Sequence, residues 1–202
     1  MTASDLVYVV DDDPDLAASV ARLLRRHDLH AEPFSDPVAL LDAYTAGPAA
    51  CVLTDVMMDQ LDGFEFSNRL RALDRAVAIV FMTAWPSTVH AVDSIRVHGG
   101  VDYLEKPVDE ERLLSSVRQG LDWSRRSREF ESRTAVLTRR ERDVLGLLVR
   151  GYSNKAIAIE LNISARTVDD HRAQISAKTG ANSLAKLIAL AALEPHPQTG
   201  RA

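Results

Sequence analysis

Val52-Leu53-Thr54-Asp55-Val56-Met57-Met58-Asp59-Gln60-Leu61-Asp62-Gly63 is the stretch on which the fold of the first half turns. An apolar run stops at a carboxylate, and Gly63 then opens a helical spacing through Phe64, Phe66 and Leu70. This is how a buried strand hands a reactive group to the edge of a parallel sheet. Taken alone, Asp55 reads as a cap or turn residue at a strand end. What its neighbours in space could be depends on the segments before and after it.

Before it, residues 6–10 read as a buried strand that Asp11-Asp12-Asp13-Pro14 stops, with Asp13 as helix cap and Pro14 at the first helical position. Leu16, Val20, Leu23 and Leu24 recur at helical spacing and are expected to face inward, up to the basic end Arg25-Arg26. A short strand at 31–34 follows, and Asp36-Pro37 starts a helix through Leu40, Leu41 and Tyr44 that Gly47-Pro48 ends. After it, the apolar run 77–82 ends at Thr83, and a helix is expected from Thr88 to His98. Gly99-Gly100 breaks that helix, residues 101–104 form a fifth strand ending near Lys106-Pro107, and Asp109 caps a helix with Leu113, Leu114, Val117 and Leu121 inward. Five strands alternating with five helices predict an α/β, doubly wound, five-stranded parallel sheet.

The composition, 46% apolar and 26% charged over 202 residues, is that of an ordinary globular protein. The apolar run 187–193 falls far short of the roughly 20 residues a bilayer span needs. The N-terminus shows no basic segment followed by an apolar one, so a cytoplasmic protein away from membranes is expected. Cys51 can form no intrachain disulfide and reads as a small core residue. The net charge of -5 hides an asymmetry: residues 1–122 carry 21 acidic and 10 basic side chains, residues 123–202 carry 8 and 14. An acidic half followed by a basic half suggests two domains, the second with a polyanionic partner.

In doubly wound sheets the ligand crevice lies beyond the carboxyl ends of the strands. Four of the five strands end in polar groups: Asp11 and Asp12, Asp55, Thr83 and Lys106. Three carboxylates brought together repel, which implies a hard divalent cation, and Thr83 with Lys106 supplies a hydroxyl and an ammonium for an anion beside it. A phosphoryl group on Asp55 fits that chemistry.

On these residues, with Thr83-Ala84 and Tyr103-x-x-Lys106-Pro107, the segment from 5 to about 122 resembles a response-regulator receiver domain of the CheY type. The resemblance implies Mg²⁺ (or Mn²⁺) on Asp11, Asp12, Asp55 and the carbonyl of Met57, and a phosphoryl group taken by Asp55 from a sensor histidine kinase. Thr83, Ala84, Tyr103 and Lys106 would be the phosphate-binding and switch residues. Three departures stand out: Asp59 where the family usually has proline, one extra residue between Thr83 and Lys106, and Trp85 two residues after the threonine. Trp85 and Met57 are expected to flank the phosphate, restrict the attacking water and prolong the phosphorylated state.

Residues 123–136, with Trp123 and alternating Arg and Glu but no Gly or Pro, read as a helical connector continuing the last receiver helix. From 137 on, Thr138 and Glu141 form a capping box for a helix with Val144, Leu145, Leu147 and Leu148 on its apolar side, ended by Gly151. Ser153-Asn154 caps a short helix with Ala156, Ile157, Ile159 and Leu161, and Asn162-Ile163 makes a turn. Ser164 caps a longer helix through Val168 and Ile175 that Gly180 stops, and a fourth helix is expected from 183 to about 193. Periodicity alone fits a plain four-helix bundle as well as a helix-turn-helix.

The residues Leu137-Thr138-x-Arg140-Glu141, Gly151-x-Ser153-Asn154-Lys155-x-Ile157-Ala158 and Ile163-Ser164-x-Arg166-Thr167-Val168-x-x-His171 resemble a LuxR-type DNA-binding domain, and Ile175 and Lys178 extend the match. The whole chain thus resembles the NarL/FixJ family of transcriptional response regulators: receiver 1–122, helical linker 123–136, four-helix DNA-binding domain 137–202. That implies double-stranded DNA as partner, a homodimer on phosphorylation, RNA polymerase downstream, and no enzymatic turnover beyond the receiver's own phosphoryl chemistry. Lys155, Arg166, Thr167, His171, Arg172 and Lys178 are the expected DNA contacts, with Arg172 or Lys178 reaching a guanine edge. Asp169-Asp170 is unexpected on a groove-facing helix unless it faces the protein or accepts from a cytosine amino group. Two other readings compete. Asp11-x-Asp13 faintly resembles the haloacid-dehalogenase phosphatase signature, and the helical domain could bind protein or RNA.

Overall fold

Strand β3 (Ala50–Asp55) and β4 (Ala78–Thr83) are buried at every position, as strands covered on both faces must be. The computed structural model describes residues 5–85, 97–181, 183 and 185–187. Around the two central strands lie β1 (Leu6–Val10), β2 (His30–Phe34) and β5 (Asp102–Glu105), all parallel, in the order β2-β1-β3-β4-β5. The order reverses between β1 and β3, which is where such a sheet opens a crevice at its carboxyl edge.

Helices cover the two faces. Helix α1 (Pro14–Arg26) packs in one core with Val7, Leu53 and Val80 and with the first part of a long helix, α4 (Glu110–Thr134). Helices α2 (Pro37–Ala43) and α3 (Gly63–Leu73) cover the other, around Phe66, Leu70, Ile79 and Phe81. The expected caps form, with Asp13 accepting from the amides of Asp15 and Leu16 and Asp36 from Val38; Asp62, not singled out in the sequence, caps α3 by accepting from Phe64 and Glu65.

The inward line of α1 differs from the expected one. Ala17, Ala21 and Leu24 are buried, Val20 and Leu23 are half-buried, and Leu16 is exposed. The alanines let the helix lie close on the sheet, which turns the larger side chains toward its flank. There Leu16, Val20 and Leu23 line a hollow with Pro107, Val108 and Leu113. Close approach also governs α4: a Cβ on Gly120 would lie 2.6 Å from the Cys51 sulfur. Cys51 is fully buried, and burial pushes its thiol up to about 12.

The chain forms two compact units that part between Arg125 and Arg126, and α4 is one uninterrupted helix across that point. Trp123, assigned to the connector from its sequence, is 5% exposed in the core of the first unit. The Arg71 guanidinium lies 5.3 Å over its ring, and Ser124 accepts from the Ala50 amide and donates to the Ala76 carbonyl. A tryptophan in a charged run is invisible as a core residue until the sheet beneath it is built.

The second unit contains α5 (Arg139–Val149), α6 (Asn154–Glu160) and α7 (Ala165–Thr179) around Val144, Leu148, Ile157, Val168 and Ile175. Thr138 and Glu141 make the capping box, Ser153 and Ser164 cap the next two helices, and Gly180 ends α7 at φ 70°. Ile159 does not join the core; α6 turns Ile157 and Ala158 inward and leaves Ile159 81% exposed. The helix expected from 88 to 98 lies almost wholly outside the described residues. Of the one expected from 183 to 193, only 183 and 185–187 are described, the last three helical.

Candidate functional site

Asp55 closes β3 and Gly63 opens α3 directly beneath it. A Cβ at Gly63 would lie 2.2 Å from the Asp55 carbonyl oxygen, so only glycine lets the helix start there. The Gly63 amide donates to the Val56 carbonyl and the Val56 amide to Met82, which pins the turn after Asp55 to both neighbours. The Met57 amide donates to Asp55 Oδ2 at 2.9 Å.

Across the crevice, Lys106 Nζ lies 2.6 Å from Asp55 Oδ1 and 2.6 Å from Asp11 Oδ2. Both carboxylates are buried, at 6% and 2% exposure. Burial raises the Asp55 carboxyl above the usual carboxylate range, against the hydrogen bond and charge of Lys106. For Lys106 burial pulls the other way, and the bonds to Asp11 and Asp55 outweigh it, so the ammonium is held above its ordinary value. The lysine is thus a counter-ion to two of the three carboxylates, Asp11 and Asp55. Asp12 is exposed, and among the described residues no three His, Cys, Asp or Glu side chains are set as a metal cage. The donor chemistry still fits a hard divalent cation: every available group is an oxygen, and one ammonium balances only one of the two buried carboxylates.

Thr83 ends β4, 1% exposed, and its hydroxyl oxygen accepts from the Trp85 amide at 3.0 Å. Its carbonyl accepts from the Lys106 amide at 2.7 Å, tying the two strand ends together. Ala84 and the Trp85 ring are exposed, as are Met57 and Asp59. Tyr103 lies on β5 with its ring against the second core, and its buried hydroxyl finds no hydrogen-bond partner among the described residues. Asp13, the second acid of the phosphatase-like pattern, is occupied as the cap of α1.

In the second unit the expected DNA contacts divide. Lys155 and Arg166 are exposed, His171 is half-buried, and the Thr167 hydroxyl lies 2.8 Å from the Ser164 oxygen. Lys178 is engaged within the protein: its Nζ donates to both Glu141 oxygens at 2.7 Å. Those bonds, with the Thr138 amide, hold the Glu141 carboxyl below its usual range. Arg172 donates to Asn154 Oδ1 at 2.7 Å, and Asn154 donates to Asp169 at 2.5 Å. Asp169 therefore faces a protein partner, one of the two roles its position allowed. These pairings join residues 15 to 37 positions apart, and nothing in the spacing announces them.

Comparison with known proteins gives the same two halves. Residues 7–118 match the response regulator receiver domain and residues 135–191 the LuxR family of bacterial regulatory proteins. The chain is 37% identical over 198 residues to the transcriptional regulatory protein FixJ of Bradyrhizobium diazoefficiens, covering 95% of this chain and 96% of that one. It is 31% identical over 192 residues to the response regulator protein TodT of Pseudomonas putida, covering 92% and 84%. Among solved structures, full-length FixJ from B. japonicum aligns with a TM-score of 0.56 at 34% identity, covering 96% of this chain and 98% of that one. The response regulator StyR aligns with a TM-score of 0.57 at 35% identity, covering 94% and 99%. A receiver domain over residues 7–118, a LuxR-family domain over 135–191 and similarity to FixJ along nearly the whole chain place this chain in the NarL/FixJ family of two-component response regulators.

Proposed function

We propose that Asp55 is the phosphoryl acceptor of a transcriptional regulator, charged by a sensor histidine kinase and read out as DNA binding. The observation that carries this reading is the Lys106 ammonium bridging Asp55 and Asp11 at 2.6 Å in a buried crevice. A carboxylate oxygen of Asp55 attacks phosphorus, the phosphorus–nitrogen bond of the kinase phosphohistidine breaks, and the imidazole nitrogen leaves with the electron pair. Burial makes the attacking carboxylate more basic than a solvated one, and Lys106 moves its hydrogen bond from Asp55 to a phosphate oxygen. Asp12, Asp55 and the Met57 carbonyl, with Asp11 beside them, would hold Mg²⁺ or Mn²⁺, which when bound supplies positive charge against the phosphoryl oxygens.

Thr83 and Tyr103 carry the consequence. The Thr83 oxygen accepts from the Trp85 amide, which leaves its hydroxyl hydrogen free for a phosphate oxygen. The Tyr103 hydroxyl, buried with no hydrogen-bond partner among the described residues, gains by any rearrangement that supplies an acceptor. Phosphorylation favours a homodimer, which sets two recognition helices on half-sites about 34 Å apart, within reach of RNA polymerase. No turnover is proposed beyond phosphoryl transfer to Asp55 and its hydrolysis.

The test combines radiolabelled acyl-phosphate or kinase transfer, size-exclusion chromatography and duplex binding, in wild type and Asp55→Asn. Label, dimer and tightened binding are expected in the wild type alone. Label retained by Asp55→Asn, or dimerisation and binding indifferent to phosphorylation, would sink the proposal.

A further inference from the structure

Helix α7 has one face in the domain core and one face out. Val168 and Ile175 are fully buried, whereas Arg166, Asp169, Asp170, Ala173, Gln174 and Ala177 are exposed. At 3.6 residues per turn, Arg166, Asp170, Ala173 and Ala177 follow one another down the middle of the outer face, and Asp169 and Gln174 flank them. A recognition helix laid in a major groove turns this outermost stripe to the base edges.

The cations expected to read bases are spent elsewhere, Arg172 on Asn154 and Lys178 on Glu141. Asp169 is held by Asn154. Asp170 makes no hydrogen bond or ion pair among the described residues, so the central stripe offers one uncommitted carboxylate, with Arg166 one turn before it and the small Ala173 and Ala177 after it. The alanines let the helix backbone approach the groove floor.

A carboxylate in a groove lies in the field of both phosphate strands and weakens binding to every sequence alike, unless it accepts a hydrogen bond there. Two bases offer an amino donor at the major-groove edge, cytosine at N4 and adenine at N6. Adenine sets N7, an acceptor, beside its amino group, and a carboxylate has no proton to give it. Cytosine presents its amino group without that conflict. We propose that Asp170 is a base-reading residue that selects a cytosine in each half-site, and that Arg172 and Lys178 position the helix rather than read sequence. This rests on the DNA-binding reading above and adds the base that is recognised.

The experiment uses the full chain, phosphorylated by a small acyl phosphate, to select duplexes from a randomised pool. Binding of the selected duplex is then compared with single cytosine-to-thymine changes, for wild type, Asp170→Ala and Arg172→Ala, with circular dichroism as a check on folding. Asp170 is exposed, so its variant is expected to fold normally. The expected result is one cytosine per half-site whose replacement weakens wild type by about tenfold or more. Asp170→Ala should bind both duplexes equally, and Arg172→Ala should keep the preference. The proposal is overturned if the selected sites share no cytosine, if Asp170→Ala keeps the wild-type preference, or if it only gains affinity for all duplexes uniformly. A wild type with no salt-dependent duplex binding at all would instead overturn the DNA-binding reading, and this inference with it.

Discussion

Gly63 and Asp55 are in backbone contact: a Cβ on the glycine would sit 2.2 Å from the aspartate carbonyl oxygen and 3.0 Å from the Val56 Cα. Neither obstacle is a flexible side chain. Gly63→Ala is expected to push α3 away from the strand end and cost about 1–3 kcal/mol of receiver stability by overpacking. Because the same turn presents the Met57 amide to Asp55, phosphoryl uptake should slow in step. Urea unfolding followed at the receiver, with uptake rates beside it, checks this; a change within about 0.5 kcal/mol would show that the helix start relaxes freely.

The Lys106 bridge predicts a coupled pair of variants. Lys106→Met leaves two buried carboxylates without their ammonium and is expected to destabilise the receiver by on the order of 3 kcal/mol. Adding Asp55→Asn removes one of the stranded charges and should return a substantial part of that loss. A double-mutant cycle by denaturant unfolding measures the coupling. Strict additivity of the two changes would mean that the bridge has no energetic content.

In the second unit, Glu141 is 4% exposed and bound by Lys178 and by the Thr138 amide. Its carboxyl is lower when folded than when unfolded. A depressed folded value contributes stability that is present above the unfolded value, about 4.3, and is lost as pH falls through the folded value. Unfolding of this unit between pH 5 and about pH 3 should therefore show an acid-side loss that Glu141→Gln abolishes. Lys178→Met should lower stability at neutral pH yet leave base preference intact. A Lys178→Met variant of wild-type stability and altered preference would return this residue to the groove.

Trp85 and Met57 are 75% and 60% exposed, on the residues that follow Thr83 and Asp55 by two. Two large apolar side chains there are expected to hinder the water that hydrolyses the acyl phosphate. Trp85→Ala should shorten the phosphorylated lifetime several-fold without changing receiver stability, because an exposed ring has little packing to lose. The decay of labelled protein after removal of the phosphodonor decides it. An unchanged lifetime would dismiss the shield.

Much of this protein could be read before any coordinates. The parallel sheet followed from apolar runs that stop at Asp11, Asp55 and Thr83, because a strand buried on both faces must be apolar until it reaches the crevice. The helix ends followed from Asp13, Asp36, Ser153 and Ser164, since a cap acts on its own amides within three residues. Short-range chemistry is written in order along the chain. What the tertiary structure alone decided are partnerships between distant residues: Lys106 as counter-ion to Asp11, Lys178 spent on Glu141, Trp123 inside the receiver core, and Leu16 left at the surface. A charged or amphipathic side chain has several partners within its reach, and the fold selects among them by what it desolvates. Composition names the groups available at a site, and packing determines which of them remain free to act.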